Sequence, residues 1–139
     1  MANAASNYLE NAILNHVLTT STYTQPSARY LALFNGDAAT ILTNLEAGTL
    51  TNEVSTGSYA RTAVTFSAAS SGSISNNNTV TFPTATANYT STVTCVAVMD
   101  TSTVAGGNVL FYGQLTQQKT VTTGDTFQVS PSTLTITLS

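Results

Sequence analysis

Past residue 28 the chain is cut by turn-forming residues into short β-branched and aromatic runs, and this punctuation leaves few folds open to it. Residues 29–34 are almost wholly apolar, as in a strand covered on both faces. Asn35-Gly36-Asp37 ends that run. Within 59–67, Thr62, Val64 and Phe66 share one side. Residues 92–99 give the strongest alternation, with Val93, Cys95, Ala97 and Met99 facing one way and Val96 and Val98 the other. Gly106-Gly107-Asn108 reads as a hairpin-type turn into 109–115. Segments 119–122, 127–129 and 134–138 follow, with Thr123-Gly124-Asp125 as a turn. The expected fold is mainly β: an antiparallel β-sandwich or barrel of about seven to eight short strands, with one N-terminal helix.

That helix comes first. Asn7 is the expected N-cap, with Glu10 three residues later. Leu9, Ala12, Ile13 and Val17 form an apolar stripe that Leu14 and Leu18 widen. The hydroxylated run 19–22 and then Pro26 end it. Residues 38–50 fit either a helical turn or a packed loop around Ile41, Leu42 and Leu45. The triplet Val64-Thr65-Phe66 recurs at Val80-Thr81-Phe82, and the Ser/Ala/Asn-rich stretch 67–78 between them reads as a flexible connection, so the triplets are expected to pair antiparallel. One domain over 1–139 is expected, with 1–26 as an arm and helix and 27–139 as the sandwich.

Composition narrows the function. Only 6% of residues are charged while 42% are hydrophobic, against about 25% charged in ordinary soluble domains. Thr, Ser, Asn and Gln cover the surface instead and supply little repulsion between copies. Three cations, Arg29, Arg61 and Lys119, are too few to neutralise a run of phosphates, so neither nucleic acid nor an anionic membrane is an expected partner. No apolar stretch reaches 18 residues, and the first residues lack the basic and apolar regions of a secretory signal.

Chemistry-bearing groups are equally sparse. His16 is the single histidine, and no Gly-x-Ser-x-Gly elbow marks a nucleophile for it. One His and Cys95 do not complete a zinc site, although a symmetric trimer would gather three copies of His16. Cys95 lies in an apolar run, has no neighbouring cation to lower its pKa, and reads as a small buried hydrophobe. Asp37, Asp100 and Asp125 sit beside turns, where carboxylates bond the local backbone. A glycan hydrolase would need two of the six acids brought together. No catalytic residue, cofactor or metal is expected, and the chain is not expected to be an enzyme.

An ordered series runs the length of the chain: Asn7-Tyr8-Leu9-Glu10, Tyr30-Leu31-Ala32-Leu33-Phe34, Gly57-Ser58-Tyr59-Ala60-Arg61, Val64-Thr65-Phe66 and Val80-Thr81-Phe82-Pro83, then residues 107–113 and Gly124-Asp125-Thr126-Phe127. In this series the chain resembles small tailed-bacteriophage virion proteins, labelled tail-fibre-like or capsid decoration (cement) proteins. Tyr89-Thr90 stands where relatives often carry Trp-Gly, and Cys95 where some carry His. The resemblance implies a virion structural protein without catalysis. The first expectation is a cement protein on the capsid exterior. It would bind the major capsid protein as a small homo-oligomer, with a trimer preferred, and many copies would add avidity. The alternative is a tail-fibre or tail-tip module contacting the host surface or a fibre partner. A short chain without stalk repeats favours the first. Tyr59, Arg61 and Tyr112 are the expected contact residues, Arg61 through a partner's carboxylate or carbonyl.

Overall fold

The computed structural model describes residues 3–138. β2 (Arg29–Asn35), β6 (Val93–Met99) and β7 (Val109–Lys119) form the centre of a five-stranded antiparallel sheet. Its edges are β1 (Asn3–Ala5) beside β7 and β3 (Thr62–Val64) beside β2. Two small antiparallel pairs complete the β structure: β4 (Ser73–Ser75) with β9 (Thr135–Thr137), and β5 (Val80–Thr81) with β8 (Gln128–Val129). Two helices, α1 (Asn7–Leu18) and α2 (Ala38–Glu46), lie outside the sheets.

Strand alternation makes the two faces of the main sheet. Leu31 and Leu33 of β2 join Val96 and Val98 of β6 in one core, which also takes in Val80, Phe82, Phe127, Leu134 and Ile136 from the small pairs and their flanks. Tyr59 stacks on Phe82 with ring centroids 6.0 Å apart, and Phe82 meets Phe127 edge-on at 5.7 Å. Ala32 and Phe34 of β2 face the other way, with Cys95, Ala97 and Met99 of β6, against Ile41 and Leu45 of α2. All seven residues of β6 are buried. In β2, the run expected to be covered on both faces, Leu31–Asn35 are buried while Arg29 and Tyr30 are half-buried.

The mainly β, antiparallel class is as expected, and several details are corrected. The sheets among the described residues do not close into a barrel, and they hold nine strands. The ambiguous stretch after residue 37 forms α2, because Asp37 caps it: its carboxylate accepts from Thr40 N at 2.9 Å. The N-cap of α1 is Ser6 rather than Asn7, with its hydroxyl accepting from Leu9 N at 3.3 Å. The two Val-Thr-Phe triplets do not pair, since β3 pairs β2 and β5 pairs β8. The stretch between them is not merely a connection. It contains β4, and Asn76 fastens it by accepting from Leu134 N at 2.9 Å and donating to Ser130 O at 3.0 Å. Val93 does not face the way Cys95 does. Asn35 pairs Val93 while Phe34 pairs Cys95, so Thr94 bulges out and Val93 turns into the first core.

Candidate interaction surface

Arg61 and Tyr59 meet around one buried carboxylate. The Arg61 and Glu53 side chains are 0% and 1% exposed. The pair is bidentate: Arg61 Nε donates to Glu53 Oε1 at 2.7 Å and Nη2 to Oε2 at 2.8 Å. Arg61 Nη1 donates to Thr101 O and Gly106 O, both at 2.9 Å. Glu53 also accepts from Ala105 N at 2.7 Å and from the Tyr59 hydroxyl at 3.0 Å. That hydroxyl in turn accepts from Leu33 N at 3.0 Å. Burial first, and the Glu53 charge second, push the Tyr59 phenol far above its ordinary value. The cluster ties the 100–108 hairpin to β2. It engages the Arg61 guanidinium inside the chain and leaves none of it for a partner's carboxylate. Glu53 is the residue that sequence reasoning passed over. The signal was an acid eight positions before a base in a chain nearly devoid of both.

Tyr112 lies elsewhere. It pairs Ala4 of β1 and Ala97 of β6, and packs half-buried against the core under α2. Burial raises its pKa, and the carboxylates of Glu46 and Glu10 add to the shift. The three expected contact residues therefore do not form one surface.

The three aspartates act as the turn reading expected. Asp125 accepts from Thr122 N and Oγ1, both at 2.9 Å, and Asp100 accepts from Asn108 N at 2.8 Å. The Thr40 hydroxyl and then its amide hold the Asp37 carboxyl below its ordinary value. The Thr122 amide and then its hydroxyl do the same for Asp125. His16 Nδ1 accepts from Tyr23 N at 3.2 Å, which ties the chain after α1 back to the helix. Cys95 is buried, and burial raises its thiol pKa. Among the described residues, no group of three His, Cys, Asp or Glu side chains is placed to hold a metal.

The most conspicuous surface is the one that α1 presents. Ser6 anchors its start: the Ser6 amide donates to Leu110 O at 3.0 Å, and its hydroxyl donates to Val109 O. Leu9 is buried in the first core. Beyond this turn the helix leaves the body. Leu14 is 55% exposed, Val17 69% and Leu18 74%, with Ile13 and Tyr8 also exposed. The apolar stripe read from the sequence is thus largely uncovered, because Leu9 is its one buried member. Beside it runs an open groove of about 420 Å³ between α1 and the end of β9, lined by Ala4, Ala5, Ile13, Leu14, Phe111 and Leu138. Leu138 is itself 56% exposed. A ridge of aliphatic side chains and an apolar groove share one face, where Glu10 is the one acid lining the groove.

Comparison with known families returns a match over residues 4–137 to the family model described as podophage GP4 fiber I protein gp80. No curated protein matches the chain.

Proposed function

The chain belongs to the podophage GP4 fiber I protein gp80 family, and we propose that it serves as a building block of the fibre apparatus of a tailed-phage particle. A structural role in the virion follows from the family. The finer placement at a fibre rests on one observation, the family description, which covers nearly the whole chain. The physical character of the molecule agrees with it. Its aspartates are engaged in turns and caps, Glu53 is in a buried pair, its lone thiol is buried, and α1 presents an uncovered apolar face suited to contact with protein.

The capsid-cement reading, with the major capsid protein as partner, is the competing one. The feature in its favour is that no tandem repeat runs through these 139 residues, where fibre stalks are usually repetitive. Gold-labelled antibody against the purified protein, applied to intact particles, separates the two. Signal confined to the tail and its fibres is expected. Signal spread over the head would replace the fibre role with the cement role.

A further inference from the structure

We propose that the exposed face of α1 is a self-association surface, in which the Val17–Leu18 ridge of one copy seats in the Leu138–Phe111 groove of another. Three observations select a second copy as the occupant. The first is complementarity within one face. The groove of about 420 Å³ adjoins the ridge, and a branched aliphatic side chain occupies roughly 100 Å³ at protein packing density. Both ridge side chains therefore fit, and every copy carries both halves of the contact.

The second is area. Side chains of this size present on the order of 150–200 Å² each when free, so Ile13, Leu14, Val17, Leu18 and Leu138 together expose roughly 500 Å². That exceeds a scattered surface patch and approaches what one partner contributes to a standard interface. The third is charge. A formal net charge of −3 spread over 139 residues sets little barrier between copies. The helix also requires a cover: twelve residues are marginal as a helix in water, and here one buried leucine anchors them.

A fibre or a head location leaves this contact unchanged, because both of its halves lie on the chain itself. Sedimentation of the purified full chain at tens of micromolar is expected to show an oligomer. The variant Val17→Gln/Leu18→Gln removes the ridge without altering charge, and Gln forms helix at least as well as Val and about as well as Leu. It is expected to weaken association about a hundredfold while leaving the thermal unfolding of the monomer in place. In a second experiment, Leu18→Cys protein is mixed with Leu138→Cys protein and treated with a short bismaleimide. Cross-linking between the two different chains is expected, with the buried Cys95 as an inert background. A wild-type monomer at about 100 µM would overturn the proposal. So would an oligomer that survives the double substitution, or one that gives no Leu18–Leu138 cross-link.

Discussion

At the scale of single residues, the strongest commitment in the molecule is the Glu53–Arg61 pair. Both side chains are fully buried, so removing one charge strands the other in a low-dielectric interior. Glu53→Gln and Arg61→Met are each expected to destabilise the fold by about 3–5 kcal/mol, read from urea unfolding. Tyr59→Phe keeps the stacked ring and deletes the hydroxyl between Leu33 N and Glu53, with an expected cost of about 1–3 kcal/mol. Sequence reasoning placed Arg61 near contacts because it is one of three cations and can pair with a partner's carboxylate or carbonyl. What it lacked was the fold that brings Glu53 and the 100–108 hairpin around it. The turn aspartates were legible, because their hydrogen bonds are local. Their carboxyls are held below the ordinary value of 3.8 in the folded state. That contribution is therefore present above pH 3.8 and is lost as pH falls through the lower folded value. The melting-temperature gap between wild type and Asp37→Asn/Asp125→Asn is expected to be open near neutral pH and to close in acid. A gap that stays constant down to about pH 2 would contradict this sign.

Elements were legible where local chemistry suffices. α1, β2, β6 and the hairpin after it follow from periodicity and turn residues. Pairings were not, because register depends on residues far apart. The repeated Val-Thr-Phe triplets invited a ladder that the distant partners β2 and β8 take instead. β4 hid in a Ser/Asn-rich stretch whose order comes from β9 and from Asn76. The single-residue bulge at Thr94 cannot be read from an unbroken apolar alternation. The Ser6 cap was displaced by one position because Asn7 is an equally good capping residue. Ser6→Ala is expected to lower stability by about 1 kcal/mol and to loosen both α1 and the β1 edge, visible as faster amide exchange in each. Two glycines offer a matched test of backbone against packing. Gly57 has φ +67°, and a Cβ there would stand 2.5 Å from Ala87 O; Gly48 has φ +80° with nothing within 4 Å. Gly48→Ala is expected to cost about 1 kcal/mol from left-handed strain alone, and Gly57→Ala distinctly more, compared by thermal unfolding.

At the scale of the whole molecule, a surface of hydroxyls and amides with 6% charge makes assembly an apolar matter. Self-association through α1 is accordingly expected to hold or strengthen between about 0.1 and 1 M salt, measured by sedimentation. Marked weakening over that range would point to ion pairs in the contact. The N-terminal anchorage has a consequence in time. The Ser6 amide and hydroxyl are bound by Leu110 and Val109, and β1 by residues 111–113. Translation delivers Ser6 about a hundred residues before the segment 109–113 that secures it. Until those residues emerge from the exit tunnel, β1 has no sheet edge to join, and the greasy stripe of α1 waits unshielded.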